Sequence, residues 1–511
     1  MSKELAYTPI DEIERIHARL TSSFKSGKTK PVAARKEQLL KLAYMIKDNT
    51  EAFQKALAAD LGRPKLEANF LEIGPLIKES IDVYKAVDKW AKPESAPFSL
   101  NFAAMKPVIR KEPKGAVLII SPFNYPVWLA LSPLIGAIAA GCTVVLKPSE
   151  ITPATSSLLA SLIARHLDPD VVAVVNGAIP ETTRLLELPW AHIMYTGNGN
   201  VGRIVATAAA KHLTPVTLEL GGKSPVVVDP KSDLKVAARR ILWGKVTNAG
   251  QTCVAPDYIL VPEEGQDALV KELAAAYKQF YPHGPKDSNS YSRIISERHY
   301  DRVKQMVDET KGSIVLGGAG DANREQKFIA PTVVKDVQGD DILMQSEIFG
   351  PVLPIIPVKD VDAAIQYINE HDHPLALYVF TTDPKFKAKV FDNTLSGAAV
   401  ANEVIIHIGV DGLPFGGVGP SGYGAHTTKF TFDIFTHQRS SIDSPGWVDL
   451  ILGARFPPYT AAKEKSLARL GAMDIPFPRP GTAPKTPWAR WTAILGLFGL
   501  LTAASARYSK K

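Results

Sequence analysis

Cysteine is scarce: Cys142 and Cys253 are the only two in 511 residues. Two thiols cannot build a disulfide framework, and no CxxC pair or Cys/His cluster has the spacing of a zinc site. No metal is expected, and a reducing compartment fits. Charge of one sign is lacking too. The 59 Lys and Arg against 52 Asp and Glu leave a net +7, spread along the chain, so no basic arm points to nucleic acid and no such partner is expected. The first residues, MSKELAYTPIDEIERIHARL, carry acids early and have no apolar core, which excludes a secretory signal. There is no internal repeat of solenoid length.

What is present is ordinary globular material, 45% hydrophobic and 22% charged, over a length that argues for two or three domains. Residues 11 to 60 read as helices, with Leu39, Leu42, Ala43 and Ile46 at helical spacing. From about 107 the texture changes. Short apolar runs (115–120, 143–146, 171–175, 193–195) alternate with helical stretches (128–140, 155–166, 203–211). That is the rhythm of a parallel sheet covered on both faces. The pattern restarts after Gly221-Gly222 with strands at 225–228 and 258–261 and helices at 234–245 and 266–280, so a second α/β domain and a cleft are expected. The glycine-rich stretch 413–424 reads as a long loop.

The C-terminal portion differs in kind. Seven prolines between 456 and 487 surround one amphipathic segment, 463–473, and read as an extended linker. Residues 491–506 are uncharged and flanked by Trp488, Arg490, Arg507, Tyr508, Lys510 and Lys511. As a helix this run would be roughly 24 Å long, somewhat short of the ~30 Å hydrocarbon core. The flanks resemble interface anchors. A membrane anchor and an apolar helix packed on protein are both open.

Three sets of residues could carry chemistry. Cys142 begins a strand and suits a small core hydrophobe. Cys253, in Asn248-Ala-Gly-Gln-Thr-Cys253, sits between a glycine-containing turn and a strand and is the candidate nucleophile. Gly197-Asn-Gly-Asn-Val-Gly202 is literally G-x-G-x-x-G after a strand, the form that lets a phosphate approach a helix N-terminus. Glu219, 17 residues beyond Gly202, could be the ribose ligand of that fingerprint. At a junction before Gly221-Gly222 it could equally face a cleft as a general base. His426 and His437 are read as structural, with a positioning role open.

Four motifs in order, Ser121-Pro-Phe-Asn-Tyr-Pro126, Leu218-Glu-Leu-Gly-Gly-Lys-Ser-Pro225, Asn248 to Cys253 and Glu347-Ile-Phe-Gly-Pro351, closely resemble the aldehyde dehydrogenase superfamily. Pro414-Phe-Gly-Gly-Val-Gly419 followed by Lys429 to His437 is similar to its class 3 branch, which includes fatty aldehyde dehydrogenases. The resemblance covers roughly residues 10 to 440. It implies an α/β fold with a Rossmann-like parallel-sheet cofactor domain, an α/β catalytic domain and a small oligomerisation element. The corresponding boundaries are 1–219 for NAD(P) binding (with part of an oligomerisation arm near 94–113) and 220–401 for the catalytic domain. A bridging segment at 402–443, the proline-rich linker at 444–487 and a hydrophobic anchor at 488–511 follow.

The resemblance also implies roles. Cys253 attacks the aldehyde, the Asn124 amide with the Cys253 N–H holds the oxyanion, and Glu219 activates water to release the acid. Lys147 and Glu150 look like the adenosine-ribose contacts, Gly197 and Gly202 open the helix under the pyrophosphate, and Glu347 looks like the nicotinamide-ribose ligand with Phe349 beside the ring. The cofactor is expected to be NAD, with NADP also open, because the Glu150 carboxylate would repel a 2′-phosphate. A homodimer is implied. An anchored chain with its active domain facing the cytosol would meet lipophilic aldehydes in a bilayer; long-chain aliphatic ones are expected, with apocarotenals and aromatic aldehydes as the alternative. Phe123 stands where tryptophan is commoner in the family. A thioesterase is disfavoured because no histidine lies in the motifs around Cys253, and a CoA-acylating enzyme because Glu219 is present.

Overall fold

The computed structural model describes residues 5–318, 320, 322–471, 475 and 477–481. The expected anchor at 488–511 lies outside the described residues.

Two sheets organise the larger of two compact units, which comprises residues 1–94 and 109–440. The first sheet contains β1 (Ala116–Ile120), β2 (Thr143–Lys147), β3 (Val172–Val174), β4 (His192–Gly197) and β5 (Val216–Leu220). Its order is β5-β4-β1-β2-β3, all parallel. The chain therefore winds outward from β1 in one direction and returns to wind outward in the other. That places a topological switch point between β1 and β4, where the carboxyl ends open a crevice. Alternate residues feed two cores. Val117, Ile119, Val144 and Leu146 face one side, and Leu118, Ile120, Val145 and Ile193 the other. Burial on both faces explains why these strands read as continuous apolar runs. The helix Trp128–Ala140 is buried nearly all round, and Gly141 in the left-handed conformation ends it.

The second sheet contains β6 (Pro225–Val228), β7 (Tyr258–Pro262), β8 (Ser313–Leu316), β9 (Thr332–Lys335), β10 (Val352–Val358), β11 (Ala376–Phe380) and β12 (Ala398–Ala401). Its order is β8-β9-β10-β7-β6-β11-β12, with only the edge strand β8 antiparallel. Asp233, Ser296, Asp360 and Asp383 each cap a following helix with a side-chain oxygen.

The glycine-rich stretch 413–424 is not wholly loop. Gly422–Tyr423 forms a short strand, β13, antiparallel to β5, with Gly422 opposite Glu219. A Cβ on Gly422 would lie 2.0 Å from the Leu218 carbonyl oxygen, and its φ is +127°, so only glycine fits.

The smaller unit comprises residues 95–108 and those from 441 onward. The stretch expected as an extended linker is helical in two places, at Gly446–Arg455 in successive short turns and at Ala461–Leu470, capped by Thr460. Pro457 and Pro458 fall in the break between them, where a missing N–H costs no helical bond.

Candidate active site

Cys253 follows three consecutive left-handed residues: Asn248 and Ala249 at φ +52° and Gly250 at +75°. Such conformations cost of order 1–3 kcal/mol each in non-glycine residues and persist only where the surroundings impose them. Here they do. The Asn248 side-chain amide donates to the carbonyls of Gln251 (2.9 Å) and Asn124 (2.8 Å). Gln251 returns a bond to the Asn248 carbonyl and another to Arg293, both 3.0 Å. A Cβ on Gly250 would lie 2.2 Å from the Gly350 carbonyl oxygen, so the loop passes directly against the Glu347–Pro351 motif. On either side of the cysteine, Thr252 shares a 2.8 Å hydroxyl contact with Tyr125, and the Tyr378 hydroxyl donates to the Val254 carbonyl at 2.5 Å. Burial, followed by the charges of Glu347 and Glu219, pushes the Cys253 thiol well up. In this arrangement it rests as a thiol, and its ionisation needs a proton acceptor.

Cys253 opens onto a cavity of about 490 Å³ whose wall includes Tyr125, Trp128, Leu129, Ile406 and Phe415. Glu219 lies on the same cavity, at the penultimate position of β5. The sequence left two readings for it, and the structure puts it in the cleft with the cysteine. It is 2% exposed, and neither carboxylate oxygen has a hydrogen-bond partner. Burial alone raises its pKa well above the carboxylate range. A buried, unpaired carboxyl is costly, and its presence marks a functional candidate. Asn124 is buried and is not among the residues lining this cavity, whereas the next residue, Tyr125, is; the Asn124 carbonyl accepts from Arg63 (2.5 Å) and Asn248.

The cofactor candidates gather at the switch point. Lys147 ends β2 and is 5% exposed; its ammonium donates to Glu150 at 2.7 Å. Burial, and to a smaller extent Glu150, raise the pKa of Tyr195 on β4, and Lys147 sets the pair at the carboxyl end of the sheet. The helix Gly199–Ala210 starts directly beyond β4, capped by Asn198, and offers an N-terminus to an anion. Gly197 and Gly202 have a packing reason as well. A Cβ at 197 would lie 2.2 Å from the Tyr195 hydroxyl, and one at 202 would lie 2.8 Å from Leu220. On the other side, Glu347 is seated against Gly221, where a Cβ would lie 2.1 Å from its carboxylate. Burial, and then Asp257, push Glu347 up to about 8. Phe349, at φ +46°, meets Phe123 edge-on at 5.8 Å. An anion-accepting helix end, a cation–carboxylate pair and a second carboxylate cradled on glycine fit a nucleotide with a diphosphate and two riboses.

Several supporting residues carry no readable sequence signal. Arg63 and Glu72 form an ion pair with both side chains fully buried. Glu72 also accepts from the N–H groups of Val127 and Trp128, both 2.9 Å, at the start of the core helix. The Arg63 guanidinium lies over the Tyr125 ring at 4.6 Å. Together they fix the 123–128 segment. Removing one member of such a pair would cost about 3–5 kcal/mol. His426 is fully buried between Trp128 and Phe415, with neither ring nitrogen bonded, and burial lowers it to about 4. It supports the cavity wall as a neutral ring. His437 is exposed.

Comparison with known proteins gives a consistent result. The family model described as "Aldehyde dehydrogenase family" matches residues 4–441. The dimeric NADP-preferring aldehyde dehydrogenase of Canis lupus familiaris is 44% identical over 88% of this chain and 99% of its own length. The beta-apo-4'-carotenal oxygenase of Neurospora crassa is 41% identical over 98% of this chain and 94% of its own. Among solved structures, the substrate-bound state of Staphylococcus aureus AldH has a TM-score of 0.87 and 41% identity. It covers 90% of this chain and 99% of that one.

Proposed function

Because this chain belongs to the aldehyde dehydrogenase family, we propose that it oxidises a lipophilic aldehyde to the acid through a thioester on Cys253. The observation that carries the reading is the sharing of one largely apolar cavity by a cysteine and an unpartnered buried carboxyl, Glu219. The Cys253 sulfur adds to the aldehyde carbon while its proton passes to a nearby acceptor. The Asn124 side-chain amide and the Cys253 N–H would hold the developing oxyanion, donors of the kind worth ~3–4 kcal/mol each. Bound NAD(P)+ supplies the hydride acceptor. Glu219 then takes a proton from the water that attacks the thioester, and burial raises its proton affinity above that of an ordinary carboxylate, which strengthens it as a base. Lys147 and Glu150 would hold the adenosine ribose, Gly197 and Gly202 would open the helix beneath the pyrophosphate, and Glu347 with Phe349 would frame the nicotinamide end.

The Glu150 carboxylate favours NAD, with NADP also accepted. The wall around Cys253 favours long aliphatic aldehydes. An apocarotenal is the second reading, favoured by the likeness to the carotenal enzyme of Neurospora crassa along 98% of this chain. The uncharged run at 491–506 with its basic and aromatic flanks would tether the enzyme to a membrane with the active domain in the cytosol, and a homodimer follows the dimeric relative. The test is reduced-cofactor formation from acetaldehyde, benzaldehyde, hexadecanal and an apocarotenal, with NAD+ and NADP+, by wild type and Cys253→Ala. Turnover that favours the long substrates and is lost in the variant supports the reading; thioester hydrolysis or a CoA requirement without oxidation overturns it.

A further inference from the structure

Beneath Glu347 lies a buried ionic cluster that the reaction as proposed leaves unused. Asp257, four residues after Cys253, has a side chain only 5% exposed. Its carboxylate accepts from Lys223 (2.6 Å) and from the Ile348 N–H (3.2 Å), and it lies 3.6 Å from the ammonium of Lys245, whose side chain is 1% exposed. Lys223 also donates to the carbonyls of Leu343 (2.7 Å) and Ser346 (3.0 Å). From the helix Glu297–Glu309, Arg302 donates to the carbonyls of Glu347 (3.3 Å) and Ile348 (2.6 Å). The backbone on both sides of Glu347 is thus held by charged side chains from three separate parts of the chain, Lys223, Asp257 and Arg302, with Lys245 behind them against Asp257. Burying this much charge to fix one short segment is costly unless the position of that segment matters.

We infer that Asp257, Lys223, Lys245 and Arg302 are positioning residues for Glu347, fixing residues 343–348 so that its carboxylate stays in the cofactor cleft in a defined place and charge state. The inference rests on the reading of Glu347 as a cofactor ligand. The groups that act on Glu347 are Asp257, which disfavours its ionised form, and Lys223 and Lys245, which favour it. Cys253 and Arg302 lie within electrostatic reach of it as well. Lys245 comes from the helix Leu234–Val246 and has no exposed role. Removing its charge leaves Glu347 protonated to higher pH, whereas removing Arg302 loosens the backbone. The two losses therefore have different signatures.

The experiment is titration of full-length protein with NAD+, followed by tryptophan fluorescence from pH 6.5 to 9.5, alongside thermal unfolding. The proteins are wild type, Glu347→Gln, Lys245→Met, Lys245→Arg and Arg302→Gln. Lys245→Met removes the charge while keeping a long unbranched side chain. The expected result is a Kd raised roughly five-fold or more by Lys245→Met near pH 7. That gap closes toward pH 9.5 and is absent in Lys245→Arg, while Arg302→Gln, which also loosens the backbone, shows a rise that persists at pH 9.5. A merely structural role would lower Tm without this pH signature. If Glu347→Gln weakens binding but Lys245→Met and Arg302→Gln bind like wild type at every pH, the inference is overturned. If Glu347→Gln itself leaves binding unchanged, the reading of Glu347 as a cofactor ligand fails first.

Discussion

The side-chain amide of Asn248 donates across 2.8 Å to the carbonyl of Asn124, joining two segments 124 residues apart. The bond ties the loop that presents Cys253 to the segment that carries the candidate oxyanion donor, so the two sides of the site are registered by one side chain. Asn248 is also among the residues that tolerate its left-handed backbone. Asn248→Ala should therefore lower stability by about 1–3 kcal/mol and reduce kcat/KM more than KM, because the lost registration is felt where the oxyanion develops. Urea unfolding and steady-state kinetics check both; a variant that loses stability with unchanged kcat would limit Asn248 to folding.

Glu219 makes a two-sided prediction. If it activates the deacylating water, Glu219→Gln should give a burst of reduced cofactor near one per site, followed by a slow steady state. Once ionised, Glu219 also disfavours the Cys253 thiolate, so the advantage of the same variant over wild type in alkylation by iodoacetamide should grow as pH rises through the ionisation of the carboxyl. Stopped-flow absorbance reads the burst and mass spectrometry the alkylation. Slow turnover without a burst would place Glu219 before acylation instead.

The same carboxyl sets a stability trend with pH. Its folded pKa lies above the unfolded value. The folded state therefore holds a proton that the unfolded state has released, and stability falls as pH rises from about 4.3 toward the folded pKa. Glu347, at about 8, acts in the same direction. Neutral glutamine at 219 removes its share. The Tm of Glu219→Gln minus that of wild type should grow more positive between pH 5 and pH 8, as differential scanning calorimetry would show; a constant difference would mean that the carboxyl is not buried in its charged form.

Much of this architecture could be read from the chain. The boundaries of the helix 128–140 and of β6 coincide with the sequence reading, because an uncharged apolar run closed by Gly141, and a Val-rich run opened by Pro225, are local signals. The short strand at Gly422–Tyr423 was not legible, since two residues acquire strand character only by meeting β5. In the proline-rich stretch the helix Ala461–Leu470 overlaps the amphipathic segment at 463–473, whereas the short turns at Gly446–Arg455 gave no periodic signal. At the site, local context already singled out Cys253 and Glu219 as candidates, and the resemblance was needed to choose between the two roles that spacing left for Glu219. Arg63, Glu72 and Asp257 gave no signal. Their importance comes from burial against distant partners, whereas in sequence they look like solvated charges.

Glu150 bears on cofactor choice. Its carboxylate is paired with Lys147 at 2.7 Å, which leaves a negative group where a 2′-phosphate would have to sit if the pair contacts the adenosine ribose. Glu150→Gln should free the Lys147 ammonium and raise kcat/KM for NADP+ relative to NAD+ by roughly ten-fold, about 1.4 kcal/mol. Kinetics with the two cofactors at a saturating aldehyde measure the ratio; an unchanged ratio would place the ribose elsewhere.

The cavity wall predicts how activity should depend on chain length. Each methylene transferred from water to an apolar wall contributes about 0.8 kcal/mol, so kcat/KM should climb about four-fold per methylene while the chain still finds apolar surface and level off once it does not. Ile406 lines this cavity and is 38% exposed, so a charge there need not disturb the core. Ile406→Glu should raise KM for hexadecanal by an order of magnitude while leaving acetaldehyde, which is too short to use this wall, near its wild-type values. Equal losses for both aldehydes would show that the substitution damages the reacting centre, and no loss for either would mean that long chains leave the cavity by another side.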